Sequence, residues 1–339
     1  MRDAGGGPSA GIVSGGRSLD TSGNARLVPV SLVIPIRNEA ATLPALLRAI
    51  AGQTVGPQEI VVVDTGSTDS GVAIIDAWRK REGWATDACR VLCERGAYPG
   101  GARNAGIRAA TQEWIAFLDG GLVPQADWLA CLWACAGDQR SSGVFGLCSF
   151  TGGTTTERTL CALSYGVGSA HAVIPASLFH RSMFDAVGMF RADLRSAEDL
   201  VWTNAFVERY GARCVCRGAR VEYSHFPPTL RAATKKWFVY EVNAVRAGLM
   251  RRRHFAFALI ALILVGLCFW RPYISCVLVA VYLVGRGLVD PIRRSRMRPW
   301  WAGRPLAPLL ALVAAPLLDL AKVAGAGTGW WERLSAKRT

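Results

Sequence analysis

Two almost unbroken apolar runs, "VPVSLVIPI" at residues 28–36 and "EIVVVD" at residues 59–64, constrain the fold more than any other feature of the chain. Neither alternates polar and apolar residues, so neither suits a strand with one face in water. Both read as strands buried on two faces. Each gives way to apolar residues at helical spacing, "NEAATLPALLRAIAGQ" after the first and "SGVAIIDAWRKR" after the second. "CRVLCE" (89–94) reads as a third strand, followed by a Gly-rich loop and the helical "GGARNAGIRAAT". "EWIAFLD" (113–119) reads as another strand, ending on an aspartate. This rhythm predicts an α/β domain with a mostly parallel, Rossmann-like sheet. Farther on, "GVFGLCSF" and "SAHAVIPASLFHR" predict strands, and "SAEDLVWTNAFVERYG" a helix that opens on Ser196, Glu198 and Asp199. "ARCVCRGARVEYSHF" predicts two short strands.

The second strand ends in Asp64-Thr65-Gly66-Ser67, which also suggests the catalytic loop of an aspartic protease. That chemistry needs two aspartates sharing one proton, hence a second copy of the tripeptide, in an essentially all-β fold. The nearby Asp119-Gly120-Gly121 lacks the Thr or Ser, and a helix follows Asp64, so the protease reading fails. In an open parallel sheet, ligands bind outside the carboxyl ends of the strands. Four features fall there: Pro35-Ile36-Arg37-Asn38-Glu39, the Asp64–Asp69 stretch, the Gly100–Asn104 turn, and Asp119. They offer carboxylates for a base and ribose, a Gly-rich approach to phosphate, a guanidinium for a diphosphate and an aspartate for a metal. The first strand–helix turn lacks Gly-x-Gly-x-x-Gly and there is no Walker loop, so dinucleotide and P-loop sites are excluded.

Half of the 339 residues are hydrophobic, and the formal charge is +14. A basic balance points to nucleic acid, anionic lipid or a phosphorylated substrate. No zinc-finger spacing or basic-flanked aromatic strand motif is present, which argues against nucleic acid. The ten cysteines form no regular framework and read as reduced. Residues 1–28, rich in Gly and Ser, read as a disordered arm with no cleavable signal, ahead of a domain spanning 29–228. The basic, aromatic segment 229–253 suits a juxtamembrane helix lying on a membrane. Residues 254–325 read as membrane helices, with "FAFALIALILVGLCFW" and "PYISCVLVAVYLVG" as a hairpin and 306–324 as a third spanning or interfacial segment. A basic tail, 326–339, follows. Arginines flank the hairpin on both sides, Arg251–Arg253 before it and Arg286 to Arg298 after it. Both flanks are then cytoplasmic, which places the protein at the inner (cytoplasmic) membrane with its domain facing the cytoplasm.

Four stretches, in order, resemble the family 2 glycosyltransferases with the GT-A fold. "VSLVIPIRNEAATLPALLRAIAGQ" looks like their first strand and helix, and "EIVVVDTGSTDSG" like their second strand, with Thr65 where a second aspartate is common. "GGARNAGIRAATQEWIAFLDGG" is similar to their Ala-Arg-Asn-x-Gly helix and metal-aspartate strand. "SMFDAVGMFRADLRSAEDLVW" is similar to their acceptor loop and catalytic Glu-Asp helix. "VEYSHFPPTLRAATKKWFVYE" resembles members of bacterial surface-polysaccharide pathways with C-terminal membrane segments.

The resemblance implies an inverting, hexosyltransferase-type enzyme that uses a nucleotide-sugar donor and a lipid-linked or polysaccharide acceptor. It places Asp64 at the nucleobase or ribose, with Pro35, Arg37, Glu39 and Gly66 around the same pocket, and Arg103 and Asn104 facing the nucleotide. Gly188 would let the acceptor approach, Asp199 would be the base and Glu198 its neighbour. Asp119 would bind Mg²⁺ or Mn²⁺, hard ions suited to carboxylate and phosphate oxygens. Asp119-Gly120-Gly121 departs from the usual Asp-x-Asp, and His225 is a candidate to complete the metal's shell. Two alternatives remain open at this point: transfer directly to a polyprenyl phosphate, and an inactive membrane scaffold that kept the fold.

Overall fold

The computed structural model describes residues 26–138, 141–249, 259, 262, 263, 266, 267, 269 and 271–335. Its centre is one eight-stranded mixed sheet in the order β3-β2-β1-β4-β7-β6-β8-β5. The parallel half consists of β1 (Leu27–Ile36), β2 (Gly56–Asp64), β3 (Cys89–Cys93) and β4 (Trp114–Phe117). These strands alternate with helices α1 (Leu43–Ala51), α2 (Gly71–Arg81) and α3 (Pro99–Ala109). The apolar runs do lie between two cores: Leu32 and Ile34 of β1 join one cluster with Leu46 and Ile60, while Val33 joins another with Val61, Ala102 and Phe117. Helix α3 can lie close on β1 because Gly106 carries no side chain; a Cβ there would fall 2.3 Å from Val33 Cγ1. Ile36 pairs with Asp64 in register, so the loops after β1 and β2 leave the sheet side by side.

The remainder of the sheet is built by β5 (Leu122–Pro124), β6 (Gly143–Phe150), β7 (Ala170–His180) and β8 (Cys214–Tyr223). β7 runs antiparallel to β4 and joins the two halves. Among the helices of this half, α4 (Trp128–Asp138) and α5 (Thr155–Ser164) precede α6 (Ser182–Val187) and α7 (Glu198–Tyr210). The segment expected to form two short strands is one strand, β8, with an irregularity opposite Phe145 and Leu147 that absorbs its glycine-containing middle. The Gly100–Asn104 turn is likewise helical, forming the first turns of α3. Leu27 and Val28, assigned to the arm, pair with β2; residues 1–25 of that arm lie outside the described residues.

After the sheet, α8 (Leu230–Arg246) leads toward α9 (Pro272–Val284), a π-turn at Gly285–Val289, α10 (Asp290–Arg294) and α11 (Ala307–Ser335). Most of the first hairpin helix lies outside the described residues. Two helical stretches, Tyr273–Arg294 and Ala307–Ser335, are long and apolar enough to cross a membrane. Helix α11 continues to Ser335, so the expected tail is helical over its first ten residues. Helix α8 does not offer its apolar face to lipid, as its pattern suggested. Trp237, Val242 and Val245 are buried, and α11 lies close against this helix. The approach depends on two glycines: a Cβ on Gly325 would meet Phe238 O at 2.4 Å, and one on Gly329 would meet Val242 O at 2.9 Å. The polar interruptions of α11 are paired. Asp319 accepts from Arg286 at 2.9 Å, Lys322 at 3.1 Å and Tyr282 at 3.1 Å, fixing α11 against the other candidate span.

Candidate active site

The carboxyl ends of β1 and β2 are tied together by short polar side chains. Asn38, held at φ 55°, accepts from the Thr68 N–H at 2.8 Å, while its own N–H donates to Ser67 Oγ at 2.9 Å. Asp69 accepts from the N–H groups of Ala40 and Gly71 at 2.8 and 3.0 Å. Asp64 is buried and accepts from the Ser67 N–H at 3.0 Å, a turn that Gly66 permits by taking φ 96°. The loops therefore form one fixed edge, with Pro35 half-buried and Arg37 exposed beside it. A hollow of about 380 Å³ opens next to Asp64, lined also by Val72, Asp76, Arg79, Val91 and Cys93.

Asp119 follows β4, and its side chain is 41% exposed. Glu39, from the loop after β1, reaches across to the two glycines behind it. A Cβ on Gly120 would fall 2.8 Å from Glu39 Cγ. A Cβ on Gly121 would fall 3.9 Å from both Glu39 Oε2 and His225 Cδ2, and 3.7 Å from the ring of Tyr223. Glu39 Oε2 accepts from the Thr42 hydroxyl at 2.6 Å. Burial raises the Glu39 pKa, the Thr42 hydrogen bond opposes that rise, and the charge of Asp119 adds to it. The structure thus brings Glu39, Asp119 and His225 to one edge.

Arg103 is placed differently from expectation. It is 3% exposed, and its guanidinium is taken up by two carboxylates: Nη1 donates to Glu198 Oε1 at 2.6 Å and Nη2 to Asp119 Oδ1 at 2.8 Å. Desolvation pulls its pKa down, but Asp119, Glu198 and Asp199 together push it higher. It therefore bridges Asp119 and Glu198. Asn104 is also turned inward, since it clamps Phe190, donating to the carbonyl at 2.8 Å and accepting from the N–H at 3.0 Å. Its role is to hold the 188–192 loop. Gly188 has open space around it; its glycine is required by a φ of 96°, and Trp202 Nε1 donates to its carbonyl at 2.8 Å.

Ala197, at φ 71°, makes the turn that delivers Glu198 and Asp199 at the start of α7. A left-handed alanine costs about 1 kcal/mol, and such outliers cluster at functional sites. Burial raises the pKa of Glu198 and of Asp199; Arg103 opposes both shifts. One Asp199 oxygen accepts from the Leu200 N–H at 2.8 Å. Among the described residues, Glu198 Oε2 and Arg103 Nε are buried with no hydrogen-bond partner, so the cluster is polar and incompletely satisfied.

Two contributors, Lys236 and Tyr240, were not singled out from the sequence, and Gly100 serves a different end from the one expected of it. Gly100 carries the 191–198 loop against α3, since a Cβ there would fall 2.3 Å from Arg191 O. Its place in the Ala-Arg-Asn stretch was a visible signal, read as phosphate approach. Lys236 and Tyr240 of α8 give no local signal. Lys236 Nζ lies 5.6 Å from the ring of Tyr223, 5.7 Å from Trp237 and 5.5 Å from Tyr240. Burial lowers its pKa. Burial also raises the Tyr240 pKa, with Tyr165, Tyr223, Asp199 and Glu198 adding to the shift.

Residues 31–215 match the sequence profile of glycosyl transferase family 2. The chain is 32% identical over 187 residues to glycosyltransferase AglE of Haloferax volcanii, a match covering 51% of this chain and 60% of that protein. It is 40% identical over 114 residues to a PGL/p-HBAD biosynthesis glycosyltransferase of Mycobacterium bovis, covering 33% and 43% respectively. The matched stretches thus span less than two thirds of either relative. Among solved structures, the mannosyltransferase PcManGT from Pyrobaculum calidifontis, in complex with GDP-Man and Mn²⁺, aligns with a TM-score of 0.50 at 19% identity, over 90% of this chain and 87% of that one. That likeness concerns the fold, which is of the GT-A class.

Proposed function

The chain belongs to glycosyl transferase family 2, and from that premise we propose that it moves a sugar from a nucleotide-diphosphate donor to a membrane-lipid-linked acceptor, with inversion. The observation that carries this reading is the cluster of Asp119, Arg103, Glu198 and Asp199 at the carboxyl ends of the strands. The base and ribose lie along the laced edge of Asp64, beside its hollow, and the diphosphate extends toward Asp119. Asp199 accepts the proton of the acceptor hydroxyl as that oxygen attacks the anomeric carbon, while the bond from the sugar to the diphosphate breaks on the opposite face. A carboxyl with a raised pKa is the stronger base. Arg103 fixes Glu198 and Asp119 relative to each other, so the base and the diphosphate end keep a set geometry.

The donor set suits Mg²⁺ or Mn²⁺: Asp119 is open, its Oδ2 lies beside the bond from Oδ1 to Arg103, and Glu39 and His225 flank Gly121. Among the described residues no three His, Cys, Asp or Glu side chains are arranged to enclose an ion, so diphosphate oxygens complete the shell. Such an ion neutralises charge on the departing diphosphate.

The acceptor reading rests on α8, which packs on α11 along one face and sets Lys236 against Tyr223, two residues before His225, with another. The two candidate spans expose Val277, Val281, Leu309, Val313 and Leu320, suited to lipid. These exposed spans support a site held at a membrane surface, and the arginines Arg286 to Arg298 after the hairpin favour the cytoplasmic side of the inner membrane. The test is transfer of radiolabelled sugar into a lipid extract by the full chain, across a panel of UDP-, GDP- and dTDP-sugars. Label in the lipid phase from one donor is the expected result. Label released only as free sugar from every donor would defeat the lipid acceptor.

A further inference from the structure

The second carboxylate that Asp119-Gly120-Gly121 lacks is present from another loop: we propose that Glu39 fills the place of the missing acid and binds the divalent ion beside Asp119. This rests on the metal-assisted reading given above. The geometry is specific. Gly120 cannot carry a side chain while Glu39 stands where it does, because its Cβ would fall 2.8 Å from Glu39 Cγ and 3.2 Å from Glu39 Cβ. Gly121, by contrast, has room: its Cβ would meet Tyr223, Glu39 Oε2 and His225 at 3.7–3.9 Å, ordinary contact distances. An aspartate at 121 would extend its carboxylate oxygens about 2.4 Å beyond that Cβ, into the space where Glu39 Oε2 already lies.

The two glycines therefore have different meanings. Gly120 makes way for the Glu39 stem, and Gly121 leaves open the position that the Glu39 carboxylate serves. Thr42 holds that carboxylate in place through its hydroxyl, and Thr42 itself sits where α1 begins, so the acid is carried on a fixed element. The negative charge a hard cation needs is kept, although its source has moved some 80 residues along the chain.

The test is Mn²⁺ binding, followed by electron paramagnetic resonance on the full chain in detergent, with UDP, GDP and dTDP as the nucleotide probes. Glu39→Gln is expected to weaken nucleotide-linked Mn²⁺ binding by roughly tenfold or more. Adding Gly121→Asp to Glu39→Ala, which vacates the space that Glu39 Oε2 fills 3.9 Å from a Cβ at 121, is expected to restore it by returning a carboxylate to the same place. Gly120→Ala, which pushes Glu39 aside without altering it, is expected to weaken binding as Glu39→Gln does, and serves if Glu39→Gln fails to fold. Asp119→Asn is the reference. If Asp119→Asn abolishes binding and a folded Glu39→Gln leaves it unchanged, the inference is wrong and the metal reading stands. A loss in Glu39→Ala that Gly121→Asp does not recover overturns it too, marking Glu39 as structural support. Binding unaffected by Asp119→Asn overturns the metal reading itself, and the inference with it.

Discussion

Glu59 and Glu198 are both buried carboxylates paired with an arginine, and they sit toward opposite ends of one sheet. At Glu59, on β2, both oxygens are occupied. Oε1 accepts from Arg90, and Oε2 accepts from Ser31, from the Thr111 N–H at 2.7 Å and from the Thr111 hydroxyl at 3.1 Å. At Glu198, among the described residues, Oε1 is occupied by Arg103 while Oε2 is buried and unpaired. The Glu59 network ties β1, β2, β3 and the approach to β4 into a finished structural knot. The Glu198 cluster is crowded with acids, sits after a left-handed alanine and opens toward Asp119. Completion of hydrogen bonding separates the two: a satisfied carboxylate holds the fold, and an unfinished set has capacity left for a ligand.

The largest effect expected from this contrast is on catalysis. Asp199→Asn lowers transfer by about 10²–10⁴-fold while nucleotide binding persists, the usual range for a lost general base; single-turnover transfer with nucleotide titration measures both. Unchanged transfer would favour an acceptor that is already anionic, a polyprenyl phosphate, which needs no base. Next comes Glu59→Ala, which strands Arg90, Ser31 and Thr111. It is expected to cost about 3 kcal/mol of stability, seen as a lower urea midpoint, with the turnover of the folded fraction kept. A kinetic defect without loss of stability would break the comparison. The smallest effect is on the pH profile. Transfer requires the deprotonated Asp199, whose pKa is raised by burial, so the acid limb of kcat/KM lies above the ordinary aspartate range and activity is lost as pH falls through it. Asp119→Asn removes one of the charges that raise it, and moves that limb to lower pH.

The α/β class, its first four strands and their helices could be read from the chain because they are local properties: apolar runs, helical spacing and turn residues. The positions of Asp64, Asp119, Glu198 and Asp199 at strand or helix ends followed from the same patterns. The readings that needed correction are of two kinds: local boundaries, at Leu27 and Val28, the Gly100–Asn104 turn, β8 and the tail, and what a side chain or segment faces. Arg103 and Asn104 lie on a helix whose amphipathic pattern is weak, and their partners, Glu198 and Phe190, are 95 and 86 residues away. Helix α8 has the amphipathic pattern of a membrane-surface helix, and the same pattern serves equally well to pack on α11. The glycines that allow that contact are Gly325, at the end of the segment read as membrane helices, and Gly329, in the segment read as a basic tail.

By itself, the sequence determined where strands end and therefore which acidic residues gather on one side of the sheet, because strand length, burial and turn chemistry are encoded within a few neighbouring residues. Only the tertiary structure decided which groups meet: Arg103 between Asp119 and Glu198, Glu39 behind Gly120 and Gly121, Lys236 against Tyr223. Those pairings follow from the strand order β3-β2-β1-β4-β7-β6-β8-β5 and from how closely helices and loops can approach it. Such distances are fixed by packing, not by spacing along the chain.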